Sequence, residues 1–210
     1  MTEPMTAKAF AELVDVSRET LRQLEDYLEL MTRWQRAINL VGPKTLVDPW
    51  RRHILDSAQL FRHLPKEVGT IYDLGSGAGL PGVILAIMGR AGIHLVESDR
   101  RKAQFLKEVI RRFDLQVDVH AQRIESLPVR CADVITARAL APLPLLLDLA
   151  FPLLRPDSVC YFLKGRSALD ELTEARKCWR MSAESFPSLS DSSASVLKLW
   201  DIVRAPLHRQ

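Results

Sequence analysis

Apolar residues return at three-, four- and seven-residue spacings through residues 7–39. Leu13, Leu21, Leu24, Leu28, Met31 and Trp34 lie on or close to one stripe, which predicts helix. A second helix is predicted from Asp48-Pro49-Trp50. The Asp48 carboxylate suits the cap, and Pro49 suits a first helical position, where no N–H is needed. It runs through HILDSAQLFRHL and ends at Pro65. Residues 1–65 therefore read as an N-terminal helical cap.

The period changes after residue 66. Short apolar runs at Thr70–Leu74, Ile93–Glu97, Val117–His120, Ala132–Ala137 and Val159–Leu163 predict strands. Helices are predicted from Pro81, over Lys102–Phe113, over Leu143–Leu154 and over Ala168–Trp179. Strand alternating with helix implies parallel βαβ units, hence an α/β domain over 66–210 with a mostly parallel, doubly wound sheet. Glu184–Phe186 and Val196–Val203 flank a serine-rich turn with no helix between them, which predicts an antiparallel edge hairpin.

Composition narrows the class. The chain has 210 residues, 47% hydrophobic and 26% charged, enough apolar material to exclude disorder over most of its length. The longest apolar run, Leu140–Leu154, carries three prolines and Asp148 and is no membrane span. The N-terminus lacks the pattern of a signal peptide. Cys131, Cys160 and Cys178 show no CxxC spacing and read as reduced, mostly buried thiols of a cytoplasmic protein; no His/Cys cluster has zinc spacing.

Charge is segregated. Residues 1–30 hold seven acids against three basic side chains; residues 31–66 hold seven basic side chains against two acids, and residues 99–112 six against two. The two basic segments are solvated helix faces or the footprint of a polyanion. Trp34 and Trp50 read as core residues rather than base-stacking ones.

The densest chemistry lies in residues 73–82, DLGSGAGLPG, between the first sheet strand and a helix. Gly75, Gly77 and Gly79 form GxGxG; Gly77, Gly79 and Gly82 form the GxGxxG of dinucleotide sites. In the second register Pro81 stands where a pyrophosphate needs a helix N–H, and proline has none. In the first register Asp73 stands two residues ahead, at the strand tip, where it repels a pyrophosphate and suits an amino-bearing ligand. The first register points to S-adenosyl-L-methionine. Glu97, at the tip of the next strand, suits both ribose hydroxyls; Asp99 suits the following helix N-terminus.

These segments together with WQRAINL at Trp34–Leu40, HILDS at His53–Ser57, ITARA at Ile135–Ala139 and LKG at Leu163–Gly165 resemble the bacterial 16S rRNA guanine-N7 methyltransferases, the glucose-inhibited division protein B family. The likeness covers most of the chain and is weak after about residue 180. It implies a class I, Rossmann-like methyltransferase fold with an N-terminal helical extension. It implies S-adenosyl-L-methionine as cofactor and N7 of one guanine in the 530 loop of 16S rRNA as acceptor. The partner implied is 16S rRNA, the 30S subunit or its assembly intermediate. By position, Gly75 and Leu80 fall in the cofactor loop, Ile124 and Glu125 flank the adenine, and Arg138 is the remaining site residue. Arg138 suits the cofactor carboxylate or an RNA phosphate.

N7 of guanine carries a lone pair and no proton, so no essential base is expected and position dominates. His53 and Asp56, three apart on one helical face, read as a local pair that shapes the RNA-facing cap or as a structural contact. Lys164 suits an RNA phosphate or a loop contact. With no long exposed apolar stripe, a monomer is expected. Three other readings stay open: a methyltransferase of small molecules or proteins, a non-catalytic RNA-binding or ribosome-assembly protein, and a nicotinamide dehydrogenase read through Gly77, Gly79 and Gly82.

Overall fold

The computed structural model describes residues 3–206. The helical period of 7–39 is delivered as two helices, α1 (Ala7–Val14) and α2 (Arg18–Gln35). The break is local. Asp15 adopts a left-handed conformation with φ 52°, its N–H returns to the Ala11 carbonyl, and the Ser17 hydroxyl accepts from the Thr20 amide to start α2. The second predicted helix is wound unevenly. Wide π turns over Trp50–Leu55 pass into one α turn, α3 (Asp56–Ala58), and a tight 3₁₀ turn over Gln59–Arg62. Asp48 sits ahead of it and accepts from the Arg51 amide, as its capping position predicts, and also from the Met5 amide.

Seven strands follow: β1 (Ile71–Leu74), β2 (Ile93–Val96), β3 (Val117–His120), β4 (Ala132–Arg138), β5 (Leu154–Lys164), β6 (Trp179–Pro187) and β7 (Ser195–Arg204). The helices between them are α4 (Gly82–Ile87), α5 (Arg100–Phe113), α6 (Leu143–Ala150) and α7 (Ala168–Ala175). The sheet order is β3-β2-β1-β4-β5-β7-β6. The first five strands run parallel, and β7 joins β5 and β6 antiparallel. The chain thus reverses its direction of travel across the sheet between β1 and β4, the switch point at which open α/β sheets bind ligands.

The largest boundary differences from the sequence reading lie in the second half of the chain. The helix from Leu143 ends at Ala150, a 3₁₀ turn spans Phe151–Leu153, and β5 begins at Leu154 rather than Val159. Helix α7 stops at Ala175, so Trp179 opens a strand instead of closing a helix. β6 is accordingly much longer than Glu184–Phe186. Apolar periodicity does not separate helix from strand where both ends are buried, and Trp179 is buried in either case.

Strand alternation divides the sheet's side chains between two cores. One lies under α1, α2, the 50–62 run, α4 and α5: Phe10, Leu24, Met31, Ile54 and Leu60 share it with Ile71, Val134 and Leu163 of the sheet. The other lies under α6 and α7, with Ile135, Ala137, Cys160, Phe162 and Leu172. The N-terminal helices therefore bury their stripe against α4 and α5, except for Leu13, which the sequence placed on the stripe and the structure leaves exposed. Trp34 meets Phe105 edge-on at 5.6 Å, and Trp50 meets Phe10 at 5.3 Å, so both tryptophans pack in this layer. All three cysteines are free; Cys160 is buried, but Cys131 is half-buried and Cys178 exposed, short of the mostly buried set expected. No helix among the described residues is long and apolar enough to cross a membrane.

Candidate active site

The glycine loop rises from the carboxyl end of β1, and both neighbouring strands hold it. The Ser76 hydroxyl donates to the Asp73 carbonyl at 2.7 Å and accepts from the Val96 amide at 3.1 Å. The Gly77 amide donates to the Glu97 carboxylate at 2.9 Å; the other carboxylate oxygen accepts from the Asp99 amide at 2.7 Å. Gly75, Gly77 and Gly79 all take positive φ, and Gly82 does not, which is the GxGxG register.

The Asp73 carboxylate does not face a ligand, contrary to expectation. Asp73 pairs in register with Thr136 of β4, and both side chains lie beneath α4. There the Thr136 hydroxyl donates to the carboxylate at 2.9 Å and the Gly82 amide at 3.2 Å. Burial raises its pKa to about 6, against the lowering effect of these donors. Asp73 thus fastens the loop from below. The Leu80 side chain is buried in the core under the N-terminal helices, so only its backbone is left to meet a ligand.

A cavity of about 280 Å³ opens beside the loop, walled by Gly75, Gly77, Glu97, Ile124, Glu125 and Leu140, with Lys102 at its margin. A larger one of about 500 Å³ adjoins it, and Ala139 and Leu140 line both. Ala139 holds a left-handed φ of 52° at this shared wall, a conformation that costs a non-glycine residue roughly 1–3 kcal/mol. The larger cavity is lined by charge: Arg52, Asp56, Arg138, Lys164 and Asp191.

Arg138 belongs to this second cavity, not to the first. Alternation along β4 sends its side chain to the face that carries the N-terminal helices. There it donates to the Asp56 carboxylate at 3.2 Å, the Arg52 carbonyl at 3.0 Å and Nδ1 of His53 at 3.4 Å. His53 and Asp56 do not bond to each other; Arg138 joins them. Since the guanidinium donates to Nδ1, the His53 proton sits on Nε2 and is donated to the Thr45 hydroxyl at 2.8 Å. Burial, then the charges of Arg138 and Arg52, pull the His53 pKa down to about 3, so the ring is neutral.

Lys164 points to the opposite face, again by alternation. Its ammonium donates to the Ala141 carbonyl at 2.7 Å and to Glu171 of α7 at 2.8 Å. It fastens the loop that follows β4, in place of the phosphate contact considered from sequence. Two further groups went unread. The β6–β7 turn closes the larger cavity: the Ser190 hydroxyl donates to Asp56 at 2.6 Å, and Asp191 pairs with Arg52 at 2.9 Å. The Tyr27 hydroxyl of α2 donates to the Ala78 carbonyl at 2.7 Å. The period of α2 reveals that Tyr27 is buried; nothing local reveals its partner. Among the described residues no cluster of three or more His, Cys, Asp or Glu is placed to hold a metal ion.

Residues 20–197 match the family model described as GidB, rRNA small subunit methyltransferase G. A protein of that name from Rhodospirillum rubrum is 52% identical over 201 residues, covering 96% of this chain and all of the relative. The chain belongs to the GidB family. A second relative of the same name, from Cereibacter sphaeroides, is 47% identical over 93% of this chain and 97% of its own. Solved structures show the shared fold alone. A SAM-dependent methyltransferase from Aquifex aeolicus superposes with a TM-score of 0.56 at 16% identity, over 76% of this chain and 96% of its own. The T. thermophilus 16S rRNA N2 G1207 methyltransferase, in complex with AdoMet and guanosine, gives 0.52 at 17% identity, over 72% of this chain and 40% of its own.

This GidB chain is thus a methyltransferase with a class I, Rossmann-like fold, and its cofactor is S-adenosyl-L-methionine. The smaller cavity fits that cofactor in kind. A side chain built on Gly77 would meet nothing nearer than the Gly75 carbonyl at 3.8 Å, so backbone lies open to a ligand there. Glu97 offers a carboxylate to hydroxyls, and half-buried Ile124 offers an apolar wall.

Proposed function

We propose that this chain methylates N7 of a single guanine in the 530 loop of 16S rRNA, acting on the 30S subunit or an assembly intermediate. The observation that carries the reading is the wall shared by the two cavities at Ala139 and Leu140. A cofactor in the smaller cavity and a base in the larger would meet across it. Family membership and the basic segments support an RNA acceptor.

In this reading S-adenosyl-L-methionine supplies an electrophilic methyl group. Gly75 and Gly77 admit it closely, Gly79 leaves room for Val83 beneath the turn, Glu97 accepts from the ribose hydroxyls, Ile124 packs on the adenine, and Glu125 orders the loop around it. Asp73 and Leu80 hold the loop's shape. Arg138 and Asp56 form one wall of the base cavity, neutral His53 backs Arg138 from within, and Lys164 holds the opposite loop. None of these groups needs to take a proton, because N7 has none to lose; the chain positions the target and keeps its surroundings dry. A stacked base must leave its helix to reach the wall. Residues 1–65 serve as a cap that holds RNA together with α5, and 66–210 as the cofactor-binding domain. The enzyme works as a cytoplasmic monomer.

The test is methyl transfer from labelled S-adenosyl-L-methionine to 30S subunits lacking the modification, with the product mapped by N7-specific strand cleavage. Label at one guanine of the 530 loop is expected. Cofactor binding with no label in 16S rRNA, mature or immature, would overturn the substrate.

A further inference from the structure

Besides the Ser76 hydroxyl, three side chains set the shape of the glycine loop, two of them at the sheet. Glu97 holds the Gly77 amide from just beyond β2, and Asp73 holds the Gly82 amide from β1. The second contact has a consequence. In a regular helical turn the Gly82 amide would bond to the Ala78 carbonyl; here it turns to Asp73, and the carbonyl is left to another donor. That donor is the Tyr27 hydroxyl, 51 residues away on α2. Tyr27 is fully buried, and Ala78 is nearly so. Water therefore cannot replace the bond without opening the layer.

The geometry points to Tyr27 as a positioning residue for the cofactor: its hydroxyl fixes the Ala78 carbonyl and with it the adjoining Gly77 backbone, which walls the smaller cavity. The N-terminal layer is then part of the cofactor site without touching the cofactor. The ring itself packs against Phe105 at 6.5 Å. Burial of the ring and placement of the loop are therefore separable functions. Removal of the hydroxyl leaves the ring in place and the carbonyl unpaired, free to rotate the loop away from its binding shape. Binding must then restore that shape, and affinity falls by that amount.

Tyr27→Phe tests this, with S-adenosylhomocysteine as calorimetric probe. Loss of one buried hydrogen bond corresponds to roughly a five- to tenfold rise in Kd. The KM for S-adenosyl-L-methionine should rise in step, with kcat at saturating cofactor within about twofold of wild type. Phe105→Leu is the control: it loosens the same packing without touching the bond, and should lower Tm while leaving Kd alone. An unchanged Kd in Tyr27→Phe would overturn the proposal, and so would an equal rise in Phe105→Leu. Should Tyr27→Phe not fold, the Tyr27 hydroxyl proton of the wild type decides by nuclear magnetic resonance: a slowly exchanging signal that shifts when S-adenosylhomocysteine binds supports the tie, and a signal lost to rapid exchange or unmoved by the ligand overturns it.

Discussion

The guanidinium of Arg138, at the carboxyl end of β4, lies 3.2 Å from the carboxylate of Asp56 in the N-terminal layer. The two are 82 residues apart in sequence, and each side chain is less than a fifth exposed. The pair joins the sheet to the helical layer at the wall of the larger cavity. A double-mutant cycle of Arg138→Met and Asp56→Asn, read by urea denaturation, should give a coupling of about 1–3 kcal/mol. Additive effects would show that the pair contributes only to activity.

His53 makes this joint sensitive to acid. Its folded pKa lies below its unfolded one, so its contribution is complete above about pH 6.5 and is lost as pH falls toward 3. Asp73 has the opposite sign: its raised pKa favours the protonated acid, a contribution present below about 3.8 and lost as pH rises through 6. Thermal melts between pH 4 and 7 should show a flatter acid limb for His53→Gln than for wild type. Over the same range Asp73→Asn should gain on wild type as pH rises.

Glu97→Ala should raise the Kd for S-adenosylhomocysteine by roughly 10- to 100-fold, the loss of one or two hydrogen bonds to a charged acceptor. Far-ultraviolet dichroism should match wild type, because Glu97 lies beyond the end of β2. Unchanged affinity by calorimetry would move the ribose contact to another residue.

The loop glycines should separate cleanly. A Cβ at Gly79 falls 2.3 Å from Val83 Cγ2 and 2.9 Å from its Cβ, on a backbone with φ 88°, so Gly79→Ala should cost roughly 2–4 kcal/mol of stability. A Cβ at Gly77 meets no such obstacle. Gly77→Ala should cost only about 1–2 kcal/mol, for its left-handed φ, and lose cofactor affinity instead. Paired melting and calorimetry check both.

The elements and their order were legible in the chain because hydrophobic period, capping residues and glycine placement act over a few residues. The same locality made the DLGSGAGLPG loop readable, and with it Glu97 at the next strand tip. Boundaries near Leu154 and Trp179 were not, since a buried residue looks apolar in helix and strand alike. The direction of a side chain was a third matter. Asp73, Arg138 and Lys164 all sit at or near strand ends by sequence and all invite a ligand. Strand register then sent Asp73 beneath α4, Arg138 to the N-terminal layer and Lys164 to α7, each to a protein partner.

The sequence by itself thus determined the fold class, the family and the place of the glycine loop after the first strand, all properties of short segments and of their succession. The tertiary structure alone decided which buried polar group meets which: Tyr27 with Ala78, Arg138 with Asp56, Lys164 with Glu171. The physical reason is that a buried donor must find an acceptor wherever packing places one, and packing brings together residues that the chain keeps far apart.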